Sequence, residues 1–227
     1  MDKALTLEHH LNGDFSKRVV LRGAAMAWQP SPSSTVWRKR FECIGDDPEK
    51  AQVTSIVRYD ASSAFAVHDH PDGEEILVLD GIFSDEHGDY PAGTYLLNPT
   101  GFRHAPRSKP GCTLFVKLRQ YGGDRPRIAI DTTSAVWSPQ TATAINVLSL
   151  YRSPKYKEFI RLLKFAPGAD LPALNNGAEI FVLDGALSDE SGDYETGDWM
   201  RTPPGGHRAL HSRFGATIYL KTGHLPR

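Results

Sequence analysis

The sequence predicts an all-β chain built from two tandem copies of one β-domain. Short strand-like runs are separated by clusters of Gly, Pro, Asp and Ser at the spacing of a sandwich or barrel. The second half repeats the first, which sets the number of domains. Helical periodicity is nearly absent. The best helical stretch, 154–163, reads equally well as a strand because of its aromatic and β-branched content.

A chain of 227 residues can bury a core as one large or two small domains. Its net charge of −1, with both signs scattered along it, leaves no electrostatic footprint for nucleic acid or an anionic membrane. No apolar run approaches the roughly 18 residues of a membrane helix, and the first ten residues have no signal-peptide core. The expectation is a soluble, cytoplasmic protein with neither nucleic-acid nor membrane partners. Cys43 and Cys112 are far apart and form no CxxC pair, so each reads as a small buried hydrophobe and no disulfide framework is expected.

Taken in order, residues 1–25 are the least readable. Residues 18–22 read as an edge strand, and the His9-His10 dyad reads as solvated. Residues 26–35 are a Pro/Ser-rich turn region. Strands are expected over 36–42, 51–59, 65–70, 75–79, 93–97 and 112–119. The Ser-Asp-Glu-x-Gly-Asp-Tyr segments at 84–90 and 188–194 predict hairpins whose glycine takes a positive φ.

Residues 75–93 recur without a gap as 179–197. Upstream, 55–59 matches 161–165; downstream, 113–117 matches 217–221; Ala27-Trp28 has its counterpart in Val136-Trp137. The junction is expected within 121–135, where Gly-Gly-Asp-Arg-Pro breaks structure. The expected domains are 1–125 and 126–227.

The strongest chemical signal is His68-Asp-His70-Pro-Asp-Gly-Glu74, followed thirty residues after Glu74 by His104. Alternate histidines on a strand share a face, and a carboxylate after the Pro-Asp-Gly turn completes a donor set suited to first-row divalent metals. The repeat acts as an internal control. Glu74 aligns with Ala178, His70 with Leu174, and His68 falls near Pro172, whereas Glu75 aligns with Glu179. An acid retained in a copy without histidines reads as structural, which selects Glu74 over Glu75. His207 is a displaced echo of His104, so the second site reads as degenerate, lined by Leu171, Leu174 and Ala178.

These residues resemble the cupin superfamily. Its first motif, G-x5-H-x-H-x3-E-x6-G, is met by His68, His70, Glu74 and Gly81, with Ser62 in place of the opening glycine. Its second, G-x5-P-x-G-x2-H-x3-N, is met by Gly93, Pro99, Gly101 and His104, with Ser108 at the last place. The wording around Glu74–Gly93 resembles the cupin domains of ChrR-type anti-sigma factors. The resemblance implies two tandem cupin (double-stranded β-helix, jelly-roll) barrels. It also implies one divalent metal held by His68, His70, Glu74 and His104, with zinc expected first and iron or another first-row metal next. The helical sigma-binding zinc domain of that family, with its H-x3-C-x2-C motif, has no counterpart here, so direct sigma-factor binding is not expected.

Three functions are compatible with such a centre. The first is a regulatory or sensing module, in which a small ligand or oxidant reaches the metal. The second is an Fe(II)-dependent dioxygenase, with Phe65, Ile76, Val78, Leu96 and Phe115 enclosing a small substrate. The third is a cupin isomerase or sugar-like ligand binder, using Arg103 and Lys117 as basic groups inside the barrel. A homo-oligomer is compatible with all three. No nucleophilic triad, phosphate loop or nucleotide fingerprint is present.

Overall fold

The structure, a computed structural model, describes residues 10–47, 50–206 and 208–226; the readings made at His9 and His207 lie outside these. It is almost wholly β. One turn of 3-10 helix, Gly23–Ala25, is the only helix among the described residues, and no described helix is long and apolar enough to cross a membrane. The chain forms two compact units, Met1–Gly13 with Ala27–Thr133, and Asp14–Met26 with Ser134–Arg227.

In unit 1 the main sheet runs His10–Leu11, Val36–Ile44, Gln52–Tyr59, Cys112–Leu118, Glu74–Asp85, Thr94–Asn98, Ile128–Asp131, each neighbour antiparallel. Period-two alternation sends Val57, Tyr59, Ile76, Val78, Leu114 and Val116 into one core. The strand expected to stop at Leu79 continues to Asp85. Its first part pairs with Thr94–Asn98, and its second part forms a hairpin with Gly88–Pro91. The bend between them sits at Gly81, with φ +73°, where an added Cβ would lie 2.1 Å from the Gly111 carbonyl oxygen. Only glycine fits there. Of the strand expected over 65–70 only His68–His70 forms, preceded by a separate short strand, Ser63–Ala64. Ser62, standing where the first motif has glycine, keeps a positive φ of 64°.

Unit 2 repeats this order from the second strand on, as Ile145–Arg152, Phe159–Phe165, Ala216–Thr222, Ala178–Asp189, Trp199–Thr202, Val19–Leu21. Its first strand, Ser138–Gln140, is the counterpart of Gln29–Pro30, which pairs with Val36–Ile44 in unit 1. The helical alternative over 154–163 resolves into a turn followed by the strand Phe159–Phe165. Both cysteines are buried free thiols, and burial pushes Cys112 up to about 11 despite a hydrogen bond with Ser108.

The edge strands cross over between the sequence repeats. Val19 is opposite Arg201, and Ile128 is opposite Leu97. Leu97 and Arg201 are equivalent positions of the ungapped repeat, so Val19–Leu21 and Ile128–Asp131 are equivalent strands. Yet the first lies in unit 2 and the second in unit 1. The stretch 121–135, expected as a bare junction, therefore carries a strand. Its Thr132 donates to the Gly93 carbonyl through both the backbone N–H, at 3.0 Å, and the hydroxyl, at 2.6 Å.

Candidate metal centre

A two-stranded ladder, His68–His70 against Phe102–His104, places the three histidines together. His104 is directly opposite His68, and Phe102 opposite His70. Residues two apart on one strand and across the ladder share a face, so all three imidazoles project to one side. Their ring centroids lie 4.9, 5.0 and 5.3 Å apart. One ligand atom from each falls within 4.8 Å of the others. His70 Nε2 and His104 Nε2 are 3.0 Å apart. Glu74, at the start of the next strand, brings Oε2 to 3.6 Å from His70 Nε2 and 3.5 Å from His104 Nε2.

The donor set fits a divalent ion. Bonds of about 2.0–2.2 Å to one tetrahedral ion imply ligand atoms roughly 3.3–3.6 Å apart, and the separations of Glu74 Oε2 from His70 and His104, 3.6 and 3.5 Å, match this. The outer partners orient the donors. His104 Nδ1 donates to Asp85 Oδ2 at 3.3 Å, and His68 Nδ1 donates to the Ala66 carbonyl at 3.0 Å. Both partners only accept, so Nε2 of each ring carries the lone pair, as metal-bound histidines require. Asn98 Nδ2 donates to Glu74 Oε2 at 3.0 Å. Burial, with the His68 and Arg119 charges adding to it, drives His70 down to about 4; burial also lowers His104. Both imidazoles are therefore neutral at neutral pH and able to coordinate. Burial raises the Glu74 carboxyl, against the opposing pull of His104 and the Asn98 hydrogen bond.

Glu75 faces the other way. It is buried opposite Lys117 in the ladder and accepts from Tyr121. Its counterpart Glu179 lies opposite Lys221 and accepts from Trp199 Nε1 at 2.9 Å. The retained acid is a structural group in both units.

Asp85 and Asn98 support the site but escaped sequence reading. Asp85 recurs as Asp189 inside a turn-like motif, so its carboxylate read as part of a hairpin. Besides His104 it accepts from the His87 N–H at 2.7 Å and the Tyr90 hydroxyl at 3.2 Å, and Arg127 donates to that hydroxyl at 2.6 Å. Asn98 aligns with Thr202 in the repeat, a difference between copies that marks it in retrospect.

The cluster forms one wall of a cavity of about 220 Å³ inside unit 1. Tyr59, Phe65, Ile76 and Phe83 line it with His68, His70 and Glu74. Of the apolar residues expected to enclose a substrate, Phe65 and Ile76 do so; Val78 and Leu96 are packed in the core. Phe115 is buried between Leu114 and Val116, which line the cavity, so alternation turns it to the opposite face. The basic groups expected inside the barrel lie elsewhere. Arg103 is exposed, and Lys117 donates to Thr54 Oγ1 at 2.8 Å. The cations on the wall are Arg38, Arg40 and Arg119. In unit 2, Leu171 and Ala178 are buried in the core and Leu174 packs against it.

Comparison with known proteins agrees with this architecture. The family described as the ChrR cupin-like domain matches twice, over 16–122 and 125–226, and the chain belongs to that family. Comparison with curated proteins finds no match. Among solved structures, a candidate dioxygenase from Nostoc punctiforme is similar at TM-score 0.73 and 14% identity, covering 90% of this chain and 82% of that one. The Escherichia coli pirin YhhW in complex with nickel(II) is similar at TM-score 0.68 and 15% identity, covering 92% and 99%. Salicylate 1,2-dioxygenase from Pseudoaminobacter salicylatoxidans is similar at TM-score 0.67 and 11% identity, covering 92% and 81%. At these identities the likeness is one of fold.

Proposed function

We propose that unit 1 is a divalent-metal module that offers its ion to a small organic ligand, and that unit 2 is a metal-free copy with a structural role. The observation that carries this reading is the position of His68, His70 and Glu74 on a cavity wall. A closed structural zinc site is sealed by its own ligands, whereas a site bordering a cavity leaves a coordination position reachable by a guest. Three imidazoles and one carboxylate suit zinc first and iron next. A regulatory module would read the presence of that guest. The second reading is an Fe(II)-dependent dioxygenase, favoured by the Tyr59, Phe65, Ile76 and Phe83 side chains that line the cavity beside the same donors and by the dioxygenase named among the fold's relatives.

The test is elemental analysis of untagged protein purified without added metal, followed by oxygen uptake on the iron-loaded form. About one zinc per chain, removed by His70→Ala or Glu74→Ala, with no oxygen consumed, supports the ligand-binding module. About one iron per chain, with substrate-dependent uptake abolished by His104→Ala, supports the dioxygenase. Two metals per chain would contradict a metal-free unit 2.

A further inference from the structure

We propose that the guest of the unit 1 cavity is a small organic carboxylate, its anionic end held by Arg38, Arg40 and Arg119 and its apolar body by the barrel wall. The proposal rests on the metal-module reading above and adds the ligand's chemical class.

The first observation is a break in patterning. Val36, Arg38 and Arg40 lie at alternate positions of the strand Val36–Ile44 and all line the cavity. The neighbouring strands send Val53, Val57, Leu114 and Val116 to the same cavity. Three cations thus stand on a wall that also carries the carboxylates of Asp69 and Glu74, and Arg40 also donates to Gln29 Oε1 at 3.2 Å.

The second is the other copy of the domain. Ladder registers give the equivalences directly. Arg38 is opposite Val57, which is opposite Leu114 and then Val78; in unit 2, Val147, Leu163, Ile218 and Val182 follow the same path. By the same route Arg40 corresponds to Ser149. Arg119, the residue after Leu118, corresponds to Gly223, the residue after Thr222. All three arginines are replaced in the copy where Ala178 and Leu174 stand in place of Glu74 and His70. Unit 2 has an arginine on this wall at the position of Ser55, but Arg161 stacks on Phe159 at 4.3 Å and reaches Thr222 Oγ1 at 3.4 Å.

The third observation is backbone strain. Arg119 has φ +58°, and Gly223 at the same place has φ +78°. A left-handed conformation is strained for any residue with a Cβ and free for glycine. Unit 2 meets this turn with glycine. Unit 1 keeps a long cationic side chain there, on the cavity wall next to His70.

An arginine fork recognises a carboxylate through paired N–H donors, and the apolar wall suits a hydrocarbon body. At about 220 Å³ the cavity falls below the roughly 300 Å³ at which drug-sized pockets begin, so the guest is small.

The experiment is calorimetric titration of the full-length, zinc-loaded protein with acetate, butyrate and benzoate, with their amides, and with inorganic phosphate. Zinc content is measured alongside. At least one carboxylate should bind tenfold or more tightly than its amide, and more tightly than phosphate. Arg38→Gln, Arg40→Gln and Arg119→Gly should each weaken it tenfold or more at unchanged zinc content. Arg119→Gly separates binding from folding, because it relieves strain and should leave the melting temperature unchanged or raised. Equal binding of acid and amide, a preference for phosphate, or carboxylate affinity unaltered in Arg119→Gly would overturn the proposal while one zinc per chain leaves the metal reading standing. Conversely, zinc-free protein that still selects a carboxylate and loses it in Arg119→Gly would overturn the metal reading and keep the anion site.

Discussion

Glu74 and Glu75 are adjacent, chemically alike and both buried, yet the strand turns them to opposite faces and gives them opposite tasks. Glu74→Gln is expected to remove most bound metal, because the amide supplies no charge to the ion. Glu75→Gln should keep the metal but lower the melting temperature, since the buried bond from Tyr121 to a charged acceptor is worth about 1.5–3 kcal/mol. Equal metal loss in both variants would end this division of labour. Asp85→Asn should weaken metal binding by about 10–100-fold, as loss of an outer partner to a metal-bound histidine does; a zinc-chelator competition assay reads it. At this scale the histidines were legible because their chemistry and period-two spacing coincide. Asp85 was hidden because a carboxylate beside a glycine turn has a ready local explanation, and its contact with His104 forms only when distant strands meet. Arg38 and Arg40 were legible in principle, since alternation already puts both on the face of Val36.

Among the strands, interiors were readable and bends were not. Asp80-Gly81 looks like the end of a strand, but the chain bends there and continues, because Gly81 packs against the Gly111 carbonyl. Two substitutions separate conformational strain from collision. Gly101 also has a positive φ, of 76°, but an added Cβ would meet nothing within 4 Å. Gly101→Ala should cost only about 1–2 kcal/mol, whereas Gly81→Ala should cost several times more or prevent folding; denaturant titration of the two variants decides. The edge strand Val19–Leu21 is tied down by the preceding Arg18, whose guanidinium donates to Asp189 Oδ2 at 2.6 Å and to the Tyr194 hydroxyl at 2.7 Å. Burial pushes Asp189 up, but hydrogen bonds from Tyr194 and Ser191 and the Arg18 charge outweigh it and hold the carboxyl below its ordinary range. A depressed folded pKa adds stability that is fully present above the unfolded value of about 3.9 and is lost as the pH falls through the folded pKa. Hydrogen exchange at the Val19–Leu21 amides, measured against the intrinsic rate at each pH, should therefore accelerate below about pH 4. In Asp189→Asn it should already be fast at pH 7; an unchanged rate would show that the strand is held by its ladder alone.

For the whole molecule, the tandem repeat and the all-β class followed from self-similarity, which needs no three-dimensional information. The exchange of edge strands did not, because a repeat in sequence says nothing about which sheet its first strand joins. One outcome is that Arg127, beyond residue 125, reaches the metal centre through Tyr90 and Asp85. A fragment ending at 125 should hold zinc at least tenfold less tightly than one ending at 133, measured by chelator competition; equal affinities would show that Arg127 and the strand after it are dispensable. The exchange also sets an order of events on the ribosome. The strand Val19–Leu21 is made before its partner Trp199–Thr202, which follows some 180 residues later. Unit 1 can close once residue 133 is out, while Val19–Leu21 waits for Trp199–Thr202. A protease that clips the nascent protein near Met26 would thus cut the edge strands of both units, His10–Leu11 and Val19–Leu21, from the chain that carries their partners.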